Sequence, residues 1–409
     1  MKKIFALVLA VLLIFAVGCQ ITPPTESGLE DEPVITVSDT AGITKIEVTE
    51  QPFVFTDLKE TDEWVLKNQH QSLFPYNGGY YFYVYPEGGN DEAGLWYLNS
   101  EGKLIKQPTP RCFCPELLKD DALYGIVFES RLDEDGISIS EEGEKYRYGQ
   151  MHKFELNESG TGESCLIYNG GEIYSSGVSH IYYTQDYIYF IKAFPYPNNY
   201  INNPDVWRMD YNGKNITKVA SLKNANPIDI SDFIVYLGKI WYTYSQQNTD
   251  GSLTGGYLTS YDMETGEMLE FDRGGLGICT NNGYFYYYEH EYDGADGQLY
   301  RFNCETYCVE KIFDVGPEYL MGFTDDYLLY TKYSEEDEDG LRTCELHRFN
   351  GEEDTCIFVV DKLFECDWMS VEYLDNRIIV AHERDCDIYV YLIEIDIDGK
   401  IIKKIYEGC

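Results

Sequence analysis

Cysteine thiols are the side chains of this sequence whose spacing most clearly invites chemistry, since the chain has 12 of them. Cys304 and Cys308 flank a three-residue turn. Cys344 and Cys356 stand six residues to either side of Asn350 in a predicted hairpin. Cysteines that face each other on antiparallel strands can form a disulfide, although the geometry is strict. Both pairs are therefore candidate disulfides, and the alternative is that all four are small unpaired core residues.

Motifs for metal binding and catalysis are otherwise missing from the sequence. Cys112-Phe113-Cys114 has no matching set of histidines or cysteines at zinc spacing. The acidic turns 133–136, 293–297 and 335–340 lack the glutamate spacing of a helix-loop-helix calcium site and are interpreted as solvated loops. Nucleophile elbows, zinc-protease motifs and phosphate-binding glycine loops do not occur. The sequence therefore predicts no metal, no cofactor and no catalytic residue.

One loop, AFPYPNNYINNPD at 193–205, combines three aromatic side chains with four asparagines. Aromatic faces together with amide hydrogen-bonding groups suit sugars or extended peptides. The alternative is a loop that proline stiffens and that packs on its neighbours. The predicted ligand-binding residues are Phe194, Tyr196, Asn199, Tyr200 and Asn202.

The N-terminus carries an export signal. Lys2 and Lys3 precede an apolar stretch at 4–17, which has 14 residues, whereas a helix needs about 20 to span a bilayer. The following Ala16-Val17-Gly18-Cys19 resembles a bacterial lipobox, with Ala16 where leucine is usual. This resemblance implies cleavage before Cys19 and lipidation of Cys19, which anchors the chain to the outer face of a membrane in the bacterial cell envelope. An ordinary signal peptide with an incidental cysteine is the alternative.

The charge of the chain excludes two classes of partner. The formal net charge is −40, and removal of Lys2 and Lys3 with the signal peptide makes it −42. A chain this acidic does not suit nucleic acid, whose phosphates are bound by lysine and arginine. It does not suit adsorption to anionic lipid either. We expect a monomer that meets the membrane through its lipid alone.

Domain boundaries follow from the change in composition along the chain. Residues 1–18 form the predicted signal peptide, and the acidic, proline-containing segment 19–43 is a predicted flexible tether. The more apolar segment 44–68 is an N-terminal extension that is expected to supply a strand to the folded domain, with a short helical turn near Asp62. Residues 69–409 form that folded domain.

Internal repetition is the strongest signal in the folded domain. A hairpin with a polar, mostly glycine-containing turn recurs seven times, and Gly102 in its first copy lies 297 residues before Gly399 in its last. Six steps therefore average about 50 residues. The seven copies are 95–106, 152–167, 206–219, 258–271, 299–313, 346–359 and 392–406.

A second hairpin precedes each copy, with Asn, Asp or Gly in most of its turns. The strand after each of these turns is nearly all apolar, which indicates burial on both faces. Four strands per unit with buried inner strands predict an all-β fold, a β-propeller of seven four-stranded blades. Six blades plus an irregular unit at 117–168, a β-sandwich and an open solenoid remain the alternatives.

The sequence Val206-Trp207-Arg208-Met209-Asp210-Tyr211-Asn212-Gly213 shows the repeat best. It resembles the TolB-like propeller repeat. It is also similar to a propeller domain of unknown function in clostridial lipoproteins, which is itself similar to the YWTD propeller of lipoprotein receptors. The resemblance covers about residues 70–408 and implies an architecture rather than an activity.

Loop lengths indicate where a function would lie. The connections between the second and third strands of the units are long and varied, which is typical of a binding surface on a rigid scaffold. We therefore expect a non-enzymatic lipoprotein that binds a protein, peptide or glycan. The alternatives are a polysaccharide- or peptide-cleaving enzyme with carboxylates in the central funnel, and a scaffold subunit of an envelope assembly. The long connections are 86–94, 129–148, 192–205, 245–256, 289–297 and 333–342.

Overall fold

Seven antiparallel sheets of four consecutive strands confirm the predicted seven-bladed β-propeller. The computed structural model describes residues 43–55, 73–84, 94–109, 113–130, 147–157, 162–168, 181–191, 205–222, 230–247, 253–274, 276–289, 298–313, 318–337, 340–363, 368–374, 377–384 and 388–407. The predicted signal peptide, the tether up to residue 42 and the helical turn near Asp62 lie outside these residues. None of the described residues belongs to a helix that is long and apolar enough to cross a membrane.

Each blade is a meander, and the first strands of blades 3 and 4, 4 and 5, and 6 and 7 lie against each other. Blade 1 consists of Leu73–Tyr76 (β3), Gly79–Val84 (β4), Gly94–Leu98 (β5) and Leu104–Lys106 (β6). Blade 2 consists of Phe113–Lys119 (β7), Ala122–Ser130 (β8), Arg147–Glu155 (β9) and Glu163–Tyr168 (β10). Blade 3 consists of Ile181–Tyr183 (β11), Ile188–Ile191 (β12), Asp205–Met209 (β13) and Thr217–Ser221 (β14).

The other four blades repeat this meander. Blade 4 consists of Ile230–Tyr236 (β15), Lys239–Gln247 (β16), Leu253–Asp262 (β17) and Met268–Phe271 (β18). Blade 5 consists of Leu276–Asn281 (β19), Tyr284–Glu289 (β20), Gln298–Asn303 (β21) and Cys308–Phe313 (β22). Blade 6 consists of Glu318–Phe323 (β23), Leu328–Tyr333 (β24), Arg342–Phe349 (β25) and Asp354–Leu363 (β26). Blade 7 consists of Trp368–Leu374 (β27), Arg377–Arg384 (β28), Ile388–Ile395 (β29) and Ile401–Glu407 (β30).

Aromatic packing between sheets explains the apolar second strands. Trp241 of β16 is fully buried, with ring centroids 4.8 Å from Phe285 of blade 5 and 6.0 Å from Phe271 of its own blade. Burying one large apolar side chain contributes about 1.5–3 kcal/mol. Both faces of β16 are covered because blades lie on either side of it, which is why the strand does not alternate between apolar and polar residues.

The unit that departs most from the repeat, 117–168, still forms a complete blade. Its strands β7 to β10 pair in the same order as those of the other blades. The alternative of six blades plus an irregular unit is therefore wrong. Its departure from the repeat is the long acidic insertion between β8 and β9. The first strand also carries a bulge at Glu116, between the pairs Pro115–Gly125 and Leu117–Tyr124.

The N-terminal extension adds two strands to the ring where one was predicted. Thr44–Ile46 (β1) pairs in parallel with β18 of blade 4, and Thr49–Gln51 (β2) pairs in parallel with β22 of blade 5. Both partners are the fourth strands of their blades, so the extension covers two open sheet edges. Residues 43–55 therefore join two neighbouring blades along their outer sides.

Blades 1 and 7 share no strand, since each consists of four consecutive strands of its own. Side chains therefore make the contact between them. The backbone N–H of Leu73 in β3 donates to Oε1 of Glu372 in β27 over 3.0 Å. An apolar cluster continues the contact between the two blades. Its buried members are Leu73, Tyr80, Phe82, Leu98, Ile379, Ala381, Leu392 and Ile405.

Candidate functional site

The propeller has two faces of different character. Antiparallel strands alternate in direction, so the first-to-second and third-to-fourth turns of every blade share one face, which we call the short-turn face. The second-to-third connections and the links between blades share the opposite face, which we call the long-loop face. The described residues of the third-to-fourth turns on the short-turn face are 99–103, 156–157, 162, 210–216, 263–267, 304–307, 350–353 and 396–400.

The Asp and Asn side chains of the repeat form hydrogen bonds within their own turns, and these bonds stabilise the short-turn face. Asp210 Oδ1 accepts hydrogen bonds from the backbone N–H groups of Asn212 and Lys214, over 3.0 and 2.8 Å. These bonds within the turn replace the hydrogen bonds that a strand would make. The corresponding side chains that accept from their own turns are those of Asn99, Asp262, Asn303, Asn350 and Asp396.

The arginine of the repeat also has a structural role. In blades 3, 5 and 6 its guanidinium lies over the ring of a tyrosine that follows the first turn of the same blade. Such cation–π contacts contribute about 0.5–2 kcal/mol, more where they are desolvated. The pairs are Arg208 with Tyr187 at 4.4 Å, Arg301 with Tyr284 at 4.2 Å, and Arg348 with Tyr327 at 4.9 Å.

The loop that the sequence singled out joins strand ends on the long-loop face. Strand β12 ends at Ile191 and β13 begins at Asp205, both at the end of blade 3 opposite its short turns. The loop residues lie outside the described residues, so their part in ligand binding stays a prediction. They are Phe194, Tyr196, Asn199, Tyr200 and Asn202.

A buried carboxyl group in one of the first strands has a strongly raised pKa. Glu116 sits at the bulge of β7 and accepts a hydrogen bond from the Tyr183 hydroxyl of β11, over 3.1 Å. Burial raises the pKa of Glu116 to about 8, although the Tyr183 bond lowers it in part. At neutral pH the group is therefore mostly protonated and links blades 2 and 3. Sequence reasoning missed this residue because a bulge leaves no signal in the apolar pattern.

The raised pKa of Glu116 makes stability depend on pH. The folded chain holds this proton more tightly than the unfolded chain, whose glutamates titrate near 4.5. The stabilisation that this proton gives to the folded state is therefore complete below pH 4.5. It is lost as the pH rises to about 8. Each pH unit in that window costs up to about 1.4 kcal/mol. We expect Glu116→Gln to remove this loss, so that the variant is more stable than the wild type at pH 8.

Urea unfolding of both proteins at a series of pH values checks this expectation. The mutual repulsion of many carboxylates also changes with pH, but the difference between the two proteins isolates Glu116. Glu163→Gln, at an exposed position of β10, is the matched control and should run parallel to the wild type. A Glu116→Gln profile that is also parallel to the wild type would show that the acid is ionised at neutral pH.

The structure holds the four cysteines of the candidate disulfides as thiols. Cys344 pairs with Val360 and Cys356 pairs with His347. Phe349 pairs with Asp354, so the hairpin turns about residues 350–353 as a whole rather than about Asn350. The symmetric spacing about the turn therefore does not place these two thiols opposite each other. Cys304 and Cys308 are both buried, and Cys308 Sγ lies 3.6 Å from the Thr306 carbonyl oxygen.

The same register brings a histidine between three possible metal-binding or hydrogen-bonding groups. His347 Nε2 lies 3.0 Å from Glu345 Oε2, and Nδ1 lies 2.8 Å from Asp354 Oδ1. Ligand atoms of Glu345, His347 and Cys356 all lie within 4.8 Å of one another. Residues 345, 347 and 356 form no zinc-spacing motif in the sequence, because only the register of β25 against β26 places His347 opposite Cys356.

No protein-family model and no curated protein matches the sequence. Solved structures are similar in fold. An acylaminoacyl peptidase from Pyrococcus horikoshii matches at 11% identity and a TM-score of 0.43, over 71% of this chain and 45% of its own. A GH74 xyloglucanase from Xanthomonas campestris matches at 13% identity and a TM-score of 0.45, over 82% and 54%.

A further match is the β-propeller domain of the Trilobed protease from Pyrococcus furiosus, at 12% identity and a TM-score of 0.37. The match covers 71% of this chain and 96% of that domain. The chain thus spans only about half the length of the peptidase and of the xyloglucanase. At these identities the likeness concerns the fold alone.

Proposed function

We propose that the chain is a cell-envelope lipoprotein, anchored by a lipid on Cys19, with a TolB-like or YWTD-like propeller. Its propeller binds a protein, peptide or glycan through the long-loop face, without catalysis. The contrast between the two faces carries the proposal. On the short-turn face, side chains of the repeat form hydrogen bonds within their own turns. On the long-loop face, the connections between second and third strands differ in length from blade to blade. Variation on one side of a rigid scaffold is typical of binding surfaces.

The inner-strand carboxyl groups support binding over catalysis. Glu116 receives the Tyr183 hydroxyl and Glu372 receives the Leu73 N–H, so each of them links two blades. One observation favours an enzyme as the second candidate, since a carboxyl group with a pKa of about 8 is protonated at neutral pH, as a general acid must be. A Glu116→Gln variant separates the two roles, because a linking residue tolerates this change and a general acid does not.

The Tyr196 and Tyr200 rings are expected to carry most of the binding. We expect the double variant Tyr196→Ala, Tyr200→Ala to lose at least about tenfold in affinity, since truncating an anchoring aromatic costs about 2 kcal/mol or more. The measurement is capture from an envelope extract, together with a glycan array. The bait is the compact unit Val34–Cys409, which keeps β1 and β2.

A double variant on the opposite face of the same blade is the matched control. Asn212 and Lys214 are exposed in the short turn between β13 and β14 and offer only their backbone N–H groups to Asp210. Asn212→Ala, Lys214→Ala should therefore bind like the wild type. If the tyrosine variant kept every interaction of the wild type, the assignment of this loop would be wrong.

A further inference from the structure

A histidine, a thiol and a carboxylate converge on the outer half of blade 6. Glu345 and His347 are two residues apart on β25 and so share one face of the sheet. Cys356 of β26 pairs with His347, and Asp354 lies two residues before it on that face. Phe313 of blade 5 has ring centroids within 5.0 Å of Phe349 of this blade. The shared face is therefore the one that blade 5 approaches.

Two carboxylates fix the orientation of the His347 imidazole at the centre of this group. His347 is buried, whereas Cys356 is exposed and Glu345 is partly exposed. Asp354 accepts from His347 Nδ1 over 2.8 Å, and Lys332 Nζ approaches the other Asp354 oxygen at 3.0 Å. This leaves Nε2 pointing at Glu345, on the side that solvent reaches. A carboxylate on one ring nitrogen is the arrangement that orients histidines which bind a metal through the other nitrogen.

The donor set matches one class of ion. Zinc takes imidazole nitrogen, thiolate sulfur and carboxylate oxygen at about 2.0–2.3 Å in a tetrahedron. Ligand atoms on such a tetrahedron are about 3.4–3.6 Å apart. Here Nε2 and the Glu345 oxygen are 3.0 Å apart, and all three ligand atoms lie within 4.8 Å. Side-chain movements of about an ångström would therefore complete three zinc bonds, with water as the fourth ligand.

Blade 2 contains a similar histidine whose neighbours are not metal ligands of this kind. His152 Nε2 lies 3.2 Å from Gln150 Oε1, and Nδ1 lies 3.0 Å from Ser164 Oγ. Its hairpin also carries an exposed cysteine, Cys165, but that residue pairs with Lys153. Blade 2 thus keeps the position of the histidine and replaces both carboxylates by neutral groups. The two blades form a natural comparison within one chain.

We propose that Glu345, His347 and Cys356 bind a zinc ion on blade 6, with Asp354 as the positioning residue for His347. Cys356 releases its thiol proton to solvent as the sulfur binds the ion, so that the ligand is a thiolate. The ion links β25 to β26 beyond the backbone ladder. Lys332 Nζ forms an ion pair with Asp354 over 3.0 Å.

Cobalt(II) tests the site, because it replaces zinc and gives a near-ultraviolet charge-transfer band when a thiolate binds it. The whole chain is purified, reduced and freed of metal, and it is titrated with cobalt in excess magnesium, which occupies nonspecific carboxylates. We expect one equivalent to bind with this band and to be displaced by zinc. Cys356→Ser should abolish the band, and His347→Gln should weaken binding at least tenfold. Cys165→Ser and His152→Gln should change neither.

Asp354→Asn tests the positioning role separately. Loss of an outer carboxylate typically weakens a metal site 10–100-fold while leaving the ligands in place. We therefore expect weaker cobalt binding with the charge-transfer band retained at saturation. The zinc site would be overturned if the wild type gave no such band, or if Cys356→Ser and Cys165→Ser had equal effects. Circular dichroism of each variant confirms that the propeller is folded.

Discussion

Arg301→Met is expected to destabilise the propeller by about 3–5 kcal/mol, because it leaves a buried carboxylate without its charged partner. Arg301 is 1% exposed, and its Nε and Nη2 atoms donate to Glu310 Oε2 over 3.1 and 2.7 Å. Nη2 also donates to the Val54 carbonyl oxygen, and the Val54 N–H donates to the same Glu310 oxygen over 3.1 Å. The pair therefore fixes the N-terminal extension to blade 5.

Denaturant unfolding measures this loss, and limited proteolysis shows whether residues 43–55 are released first. Arg273→Met is the matched control, since Arg273 also holds the extension, through Glu50 at 3.5 Å. That pair is partly exposed, so its loss should cost less than about 1 kcal/mol. A double variant, Arg301→Met with Glu310→Leu, should recover part of the stability because no buried charge remains. Equal losses for Arg301→Met and Arg273→Met would contradict the buried clamp.

Of the Gly→Ala substitutions on the short-turn face, Gly399→Ala is expected to lower the free energy of unfolding most. Gly399 has a φ of +80°, and a Cβ there would lie 1.6 Å from the Ile357 carbonyl oxygen of blade 6. The turn of blade 7 is thus in direct contact with the backbone of blade 6. Gly213 repeats this contact, with 1.8 Å from a Cβ to the Ile167 carbonyl oxygen of blade 2.

Gly102 provides a control with the same backbone conformation. It occupies the equivalent turn of blade 1, also with a φ of +80°, but nothing lies within 4 Å of a Cβ there. Gly102→Ala therefore costs only the left-handed conformation, about 1–2 kcal/mol. We expect Gly399→Ala to cost a further 1–3 kcal/mol or so, the usual range for overpacking. Equal unfolding free energies for the two variants would show that blade 7 does not rest on blade 6.

The repeat was sufficient to predict the blades, because a 50-residue period with apolar second strands has few solutions. It also marked Gly399 as a turn residue, but not the contact of Gly399 with the preceding blade, which depends on how blades stack. Strand register limited the prediction of chemistry. The blade 6 hairpin turns about residues 350–353 rather than about Asn350, which places Cys356 opposite His347, and the bulge at Glu116 turns a carboxyl group into the core. Neither the centre of a turn nor a bulge changes the composition, so the sequence does not show them.

Binding by the long-loop face is tested most directly by crosslinking from each face of one blade. A photoreactive phenylalanine derivative replaces Tyr200 in one variant and Asn212 in another, and both proteins are irradiated in an envelope extract. Crosslinked partners are then compared by mass spectrometry. We predict adducts from position 200 and none from position 212. Adducts from position 212 alone, or the same adducts from both positions, would contradict binding through the long-loop face.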